Sequence, residues 1–311
     1  MLEIGILTLE NVVGLIFFMA LGYLFNRTGK LPKQTSSVLS VLTTTLFLPA
    51  YTILNLSESF TVENIGKNLG IFGFGCLFIL LAILLGLVLA KILGRNEFEQ
   101  KTLRYAFAFP NFGYFGYPVI AGVFGAEMLA NMIVFCIPVS LACNTYGYLL
   151  FSKEKKISLK QILLTPMVFS IFIGCALGLT GWKLPNLLGS LLTGASNCMS
   201  PASMLLCGFV LGNFSLRQLI TGARGYWLSA IRLLGIPILF AIPLLLCGVS
   251  GIYLMLPLLV FALPLGMNIV VFPESYGIDA SENARPCFVS YLLAIVVLPI
   301  TFSLIFRLAG F

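Results

Sequence analysis

Long apolar segments alternate with short polar loops along the whole chain. At about 20 apolar residues per bilayer crossing, this pattern predicts ten transmembrane helices, at residues 8–26, 37–55, 67–91, 101–125, 127–151, 160–180, 188–211, 225–248, 251–277 and 284–308. No segment between them has the length or composition of a soluble domain. The sequence therefore predicts an all-α integral membrane protein.

Short motifs of the first half of the chain recur in the second half at a nearly constant offset. Pro49 in the second predicted span corresponds to Pro201 in the seventh, and Pro110 in the fourth corresponds to Pro264 in the ninth. These offsets of 152 and 154 residues equal five spans. Because an odd number of spans reverses the chain direction, we predict two inverted five-helix repeats, residues 1–156 and 157–311, in one integral transport domain.

The fourth predicted span is interrupted at residues 109–118, where two prolines flank an asparagine and two glycines: Pro110, Asn111, Gly113, Gly116 and Pro118. Proline lacks a backbone donor, and glycine and asparagine tolerate non-helical torsion angles. We therefore predict two half-helices joined by an unwound link near the centre of the membrane. Such a link survives there only when it is buried in protein or lines a cavity, and broken helices of this kind form the binding sites of many secondary transporters.

The ninth predicted span has the same pattern, with Gly266 and Asn268 between Pro264 and Pro273. Because proline is favoured at the first position of a helix, we predict that Pro118 and Pro273 open the second half-helices. Free N–H groups and two positive dipole ends would then meet as an anion site, with the asparagine of each link adding hydrogen bonds. The alternative is that the prolines only kink packed helices.

Two charged residues in the predicted spans are also candidates. Glu274 is predicted to bind a coupled H⁺ or Na⁺, the alternative being that it only stabilises the first turn of a helix. Arg232 is expected to extend to the cytoplasmic surface, the alternative being that it lends charge to an inward-facing cavity. Supporting candidates for the substrate site, which alternatively only bridge helices, are Pro49, Tyr51, Asn55, Pro110, Asn144, Asn197, Pro201, Ser203 and Pro264.

Basic residues are distributed unevenly over the loops. The loops on one side contain Arg27, Lys30, Lys33, Lys91, Arg95, Lys101, Arg104, Lys153, Lys155, Lys156, Lys160, Arg217, Arg224 and Arg285. The loops on the other side contain Lys67, Lys183 and Arg307. Because basic loops stay in the cytoplasm, we predict a multi-pass plasma-membrane protein with both termini outside.

The composition excludes several other classes of protein. Hydrophobic residues make up 59% and charged residues 9% of the chain, with a mean hydropathy of +1.04, whereas soluble proteins have about 25% charged residues. The net charge of +7 lies in the loops and indicates topology rather than nucleic-acid binding. With no histidine and no C-x-x-C pair, neither a metal site nor another cofactor is expected. The absence of G-x-S-x-G, H-E-x-x-H and paired carboxylates argues against an enzyme.

These motifs resemble those of the auxin efflux carrier family, which includes bacterial carriers and the plant PIN auxin exporters. The family's fourth-span pattern, L-P-N-x-x-x-x-G-x-P, matches residues 109–118, with phenylalanine in place of the leucine. Its ninth-span pattern, L-P-x-G followed by F and Y, matches residues 263–266, Phe272 and Tyr276. Pro49 and Pro201 fit the second and seventh spans of the family. The resemblance covers essentially the whole chain.

The resemblance implies a ten-helix carrier with broken, crossing helices 4 and 9, which moves an organic anion by elevator-like alternating access. It also implies that Asn111 contacts the carboxylate of the substrate, and homodimers occur among related carriers. This chain lacks the charged residues of the plant carriers in its third span and their large cytosolic loop. We therefore expect a small carboxylate rather than auxin, carried by a secondary active transporter. The alternative is a non-transporting membrane sensor or channel on the same fold.

Overall fold

The computed structural model of the chain describes residues 2–152, 165–275 and 278–310, without the side chains of residues 274 and 275. This part of the chain is helical throughout, apart from short loops and one isolated β-bridge. Its helices are α1 Leu2–Arg27, α2 Thr35–Ser59, α3 Ile65–Leu93, α4 Glu97–Ala108, α5 Phe112–Gly147, α6 Pro166–Thr180, α7 Asn186–Leu211, α8 Leu216–Ile220, α9 Ala223–Leu246, α10 Gly251–Phe261, α11 Asn268–Ser275 and α12 Ser281–Leu308.

Seven of these helices, α1, α2, α3, α5, α7, α9 and α12, are long and apolar enough to cross a membrane. The prediction of an all-α membrane protein is therefore confirmed. The apolar helices α6 and α10 are shorter, with 15 and 11 residues. The beginning of the predicted sixth span and its preceding loop, with Lys153, Lys155, Lys156 and Lys160, lie outside the described residues. The count of ten spans and the inversion of the two halves stay predictions.

A glycine divides α5 into two helices. Gly125 has φ 80° and ψ −177°, a conformation that only glycine adopts without strain. The chain changes direction there, so that residues 112–124 and residues 126–147 are separate helical segments. The predicted boundary between the fourth and fifth spans falls at this break.

Five-residue π-helical turns interrupt the described helices at Thr43–Phe47, Phe112–Gly116, Cys143–Gly147 and Ile231–Gly235. Three of these turns end two residues before a proline: Pro49, Pro118 and Pro237. Inside an α-helix, a proline ring clashes with the carbonyl group of the preceding turn. The wider π turn makes room for the ring, so these prolines bend their helices without ending them.

The helices form two groups that share one interface. Helices α1, α2, α6 and α7 pack against one another, and helices α3, α4 and α5 pack with α9 to α12. The closest approach in the first group is between α1 and α7, where a Cβ atom added at Gly208 would lie 1.8 Å from the carbonyl oxygen of Met19. A Cβ atom at Gly22 would lie 2.1 Å from the carbonyl oxygen of Leu205. Glycine at both positions therefore lets the two backbones touch.

Replacing Gly208 by alanine should force α1 and α7 apart. We expect Gly208→Ala to lower the free energy of unfolding by about 1–3 kcal/mol, the usual range for overpacking. The matched control is Gly14→Ala, because a Cβ atom at Gly14 of α1 has no neighbour within 4 Å. The control should match or exceed wild-type stability, since alanine favours helix by about 1 kcal/mol over glycine. Thermal unfolding of the purified proteins in detergent measures both, and a Gly208→Ala protein as stable as the control would contradict the packing.

Candidate functional site

The two broken spans cross at their unwound links. Residues 109–111 connect α4 to α5, and residues 262–267 connect α10 to α11. Pro110 and Leu265 form an antiparallel bridge, in which the N–H group of Asn111 donates to the carbonyl oxygen of Pro264 at 2.9 Å. Both breaks expected from the sequence are present, and each link supplies backbone hydrogen bonds to the other.

Each second half-helix has an asparagine at its beginning. The Asn111 side chain accepts a hydrogen bond from the N–H group of Tyr114 at 3.2 Å and thereby caps the start of α5. Asn268 is the first residue of α11. The prediction that a proline opens each half-helix is wrong for Pro273, which lies inside α11. Pro118 lies in the first turn of the regular α-helix of α5, directly after the π-helical turn Phe112–Gly116. An asparagine cap satisfies the first free N–H groups, so the helix can start before the proline.

Side chains from other helices bind carbonyl groups that precede these prolines. The carbonyl oxygen of Tyr114, four residues before Pro118, accepts a hydrogen bond from the Ser203 hydroxyl of α7 at 3.2 Å. The carbonyl oxygen of Ile269, four residues before Pro273, accepts one from the Asn283 amide of α12 at 2.8 Å. A proline cannot donate to these carbonyls, and an unpaired one in a membrane interior costs several kcal/mol.

A tyrosine holds each asparagine of the links. The Asn111 amide donates to the hydroxyl of Tyr291 in α12. The Asn268 amide donates to the hydroxyl of Tyr105 in α4 at 2.9 Å. Both tyrosines are buried. The Asn268 amide nitrogen also lies 3.8 Å from the sulfur of Cys143. These contacts fix the orientation of both asparagines.

Arg232 lies fully buried where the first half-helices end. Its Nε donates to the carbonyl oxygen of Leu263 at 3.1 Å, its Nη1 donates to that of Phe107 at 2.9 Å, and its guanidinium carbon is 5.7 Å from the ring centre of Phe261. These groups lie at the C-terminal ends of α4 and α10, where the helix dipole is negative and attracts a cation. The expectation that Arg232 extends to the cytoplasmic surface is wrong, because the two carbonyls replace water as its partners.

A cavity of about 370 Å³ borders both links. Of the candidates named from the sequence, it is lined by Pro110, Asn111, Gly113, Asn144, Gly266 and Asn268. Its opposite wall comes from residues 40–48 of α2 and residues 165–167 before and in α6. No Asp, Glu, Lys or Arg is found among the described residues that line it. The cavity thus lies between the two groups of helices and has an uncharged wall.

Backbone N–H groups of both links are free at this cavity. Those of Phe112 and Gly113 in the first broken span, and of Met267 in the second, have no hydrogen-bond partner among the described residues. All three residues line the cavity. Free N–H groups at the starts of two helices attract an anion, so this arrangement can bind a carboxylate without a basic side chain.

A second cavity of about 390 Å³ lies between α4, α9 and α12. Its wall carries charged side chains of both signs, but most of these already have partners. Arg224 forms a salt bridge with Glu99 at 2.7 Å, and the guanidinium of Arg285 is 3.6 Å from Glu282 and donates to the carbonyl oxygen of Gln218. An anion would have to displace these carboxylates, so the uncharged cavity at the crossing is the better candidate site.

The remaining candidates lie away from the uncharged cavity. Tyr51 stacks on Tyr117, with ring centres 6.0 Å apart, and Asn55 donates to the carbonyl oxygen of Tyr51. A Cβ atom at Gly116 would lie 2.4 Å from Leu263, so this glycine permits the close crossing of the spans. Asn197 is exposed on α7, and the prolines Pro49, Pro118, Pro201, Pro264 and Pro273 do not line the cavity. Glu274 lies in α11, but its side chain is outside the described residues, as is Tyr276.

Sequence reasoning missed four of the residues that build the crossing: Tyr105, Tyr291, Asn283 and Ser290. Ser290 accepts a hydrogen bond from the N–H group of Leu265 at 3.1 Å. Their partners are up to 180 residues away in the chain, as in the pair of Asn111 and Tyr291. The available signal was their polarity within apolar spans, which does not identify a partner.

Two comparisons with known proteins place the chain among membrane transporters. A family model described as "Membrane transport protein" matches the chain twice, at residues 7–161 and 154–302. An "Uncharacterized transporter" of Methanothermobacter thermautotrophicus is 25% identical over 296 residues, which cover 94% of this chain and 96% of the relative. An "Uncharacterized transporter" of Methanocaldococcus jannaschii is 24% identical over 302 residues, which cover 93% of this chain and 96% of the relative.

The role assigned to Asn283 can be tested with a double-mutant cycle. Asn283→Ala removes the donor to the Ile269 carbonyl and should lower the free energy of unfolding by about 1–3 kcal/mol. Pro273→Ala restores a backbone N–H group four residues after Ile269, so the double mutant should recover most of this loss. The cycle is measured by unfolding in mixed micelles, with a coupling energy of at least about 1 kcal/mol expected. Strictly additive effects would show that the carbonyl does not depend on Asn283.

Proposed function

The chain belongs to the membrane transport protein family of the auxin efflux carriers, and we propose that it is a secondary active transporter of a small organic anion of the carboxylate class. The observation that carries this proposal is the crossing of two unwound links beside one cavity, with free N–H groups from both. Exposed backbone within a membrane protein is retained where it binds a ligand or lines an aqueous path.

The proposed architecture has ten transmembrane helices in two inverted repeats. Its support is the double match of one family model to the two halves of the chain. The breaks at Pro110 and Pro264, one in each half, add to it. With five spans per half, the second half would run through the membrane in the opposite direction, so that half-helices of opposite direction meet at the crossing.

The anion is proposed to bind at the positive ends of α5 and α11. The free N–H groups of Gly113 and Met267 would donate to the carboxylate, and the dipoles of both half-helices would favour its charge. Asn111 would act in two ways. Its oxygen caps α5 and its amide is fixed by Tyr291, while its second amide hydrogen would donate to the anion in place of the Cys207 sulfur.

The positions of the basic loops indicate the side of the membrane to which the cavity opens. Ser40 and Thr44 lie near the start of α2, and Thr165 precedes α6. Both helices follow loops rich in lysine, which are proposed to be cytoplasmic. The cavity would then be an inward-facing state in the plasma membrane, with both termini outside. In an elevator-like cycle, α3 to α5 and α9 to α12 would move against the other group of helices.

Asn111 provides the most direct test of the anion site. A hydrogen bond to a charged group contributes roughly 1.5–3 kcal/mol, so Asn111→Ala should weaken carboxylate binding about ten- to a hundredfold. Asn111→Asp keeps the acceptor for the Tyr114 N–H group and replaces the donor to Tyr291 by an acceptor for its hydroxyl. Its charge would repel the ligand, so it should bind more weakly than Asn111→Ala. Calorimetric titration of the purified proteins with malonate, malonamate, pyruvate and benzoate measures these affinities.

The control for this series is Asn11→Ala. Asn11 lies in α1 and donates to the carbonyl oxygen of Leu7 in the same helix, away from the cavity. It should bind the same carboxylates as wild type. If Asn111→Asp binds them as tightly as wild type, the anion does not occupy the crossing.

Glu274 is proposed to carry the coupled H⁺ or Na⁺. Glu274→Gln should change equilibrium carboxylate affinity by less than about tenfold, or 1.4 kcal/mol, and should abolish ion-driven accumulation in liposomes. Labelled uptake with and without an imposed H⁺ or Na⁺ gradient separates the two effects. Accumulation that survives in Glu274→Gln would mean that this residue has no part in coupling.

A further inference from the structure

Arg232 is the one charged side chain that is buried in the described part of the chain. None of the salt bridges among the described residues involves it, and its Nη2 has no hydrogen-bond partner there. Arginine stays protonated in proteins. The crossing therefore contains a positive charge that no described carboxylate neutralises.

The helix ends at the crossing do not cancel this charge. Helices α4 and α10 end there, each with about half a negative elementary charge, and α5 and α11 begin there, each with about half a positive one. The negative ends lie against Arg232, and the positive ends lie at the uncharged cavity. Since the four contributions sum to about zero, the net charge of the crossing is that of Arg232.

We infer that Arg232 is the counter-charge of the transported anion and crosses the membrane with it. This inference rests on the proposed function, in which the crossing carries the anion. Phe107 binds Arg232, and Phe112, five residues later, lines the cavity, so that guanidinium and anion lie on opposite sides of one short link. Two charges inside a protein attract each other more than they do in water at the same separation, so Arg232 can balance the charge of the anion without direct contact.

The charge balance selects the class of anion. A monovalent carboxylate makes the loaded crossing electrically neutral, whereas a divalent one leaves a net negative charge in the membrane, which is costly. The described cavity wall offers no basic side chain to a second carboxylate. Glu274 with its coupled cation adds no net charge, so the balance of the loaded state is independent of it. The site is therefore suited to monoanions.

The test compares malonate with malonamate in liposomes that contain the purified protein. Malonate is a dianion at neutral pH, and malonamate, in which an amide replaces one carboxylate, is a monoanion of nearly the same size. Exchange of labelled for unlabelled anion is measured with and without a potassium diffusion potential of about 100 mV. One charge that crosses this whole potential gives a factor of roughly fifty, from 2.3 kcal/mol per 100 mV. Malonamate exchange should change by less than about twofold, and malonate exchange by more than about fivefold.

Variants of Arg232 assign the effect to this residue. Arg232→Gln removes the charge and keeps a hydrogen-bond donor. The rate of malonamate exchange by this variant should therefore change by more than about fivefold when the potential is applied. Arg232→Lys keeps the charge, and its exchange should remain independent of voltage even if its rate falls. If Arg232→Gln does not fold, the comparison of the two anions in wild type still decides the question.

The outcomes separate this inference from the proposed function. Voltage-dependent malonamate exchange by wild type, or voltage-independent exchange by Arg232→Gln, overturns the role of Arg232 and leaves transport intact. If wild type exchanges neither malonate nor malonamate, the proposed carboxylate transport is contradicted, and the inference about Arg232 fails with it. Both are supported if malonamate exchange is independent of voltage in wild type and in Arg232→Lys but depends on voltage in Arg232→Gln.

Discussion

The structure depends on the hydrogen bonds that hold two broken helices together where they cross. Arg232 binds the carbonyl groups of Phe107 and Leu263 behind the crossing, and the N–H group of Asn111 binds the carbonyl of Pro264 within it. Broken helices expose backbone groups that cost several kcal/mol each when unpaired in a membrane. Because each break satisfies part of the other, the two breaks are stable as a pair where neither would be stable alone.

The same constraint explains the polar residues around the crossing. Ser203 and Asn283 bind carbonyls that precede prolines, and Tyr105 and Tyr291 hold the asparagines of the links. Backbone N–H groups at the starts of α5 and α11 remain free, beside an uncharged cavity. Backbone carbonyls of the crossing are thus paired on the side of Arg232, and backbone N–H groups are free on the side of the cavity. Free N–H groups at helix starts are what an anion site requires.

Sequence reasoning located the breaks but misjudged how they are built. Proline restricts the backbone locally and glycine frees it, so the interruptions near Pro110 and Pro264 could be predicted from the sequence. The exact helix starts could not, because the Asn111 side chain caps a π-helical turn before Pro118, and α11 already begins at Asn268, before Pro273. Arg232 was misjudged for a different reason: its partners Phe107 and Leu263 are 125 and 31 residues away. A single charge in an apolar span shows that a partner exists, and only the fold shows which one.

An experimental structure of the protein with a bound monovalent carboxylate such as malonamate tests the anion site most directly. We expect the carboxylate group within hydrogen-bond distance of the N–H groups of Gly113 and Met267, with Arg232 still bound to its two carbonyls. A carboxylate bound instead in the charged cavity beside Arg224 and Arg285 would contradict an anion site at the crossing, because the ligand would then be held by side-chain charges and not by the broken helices.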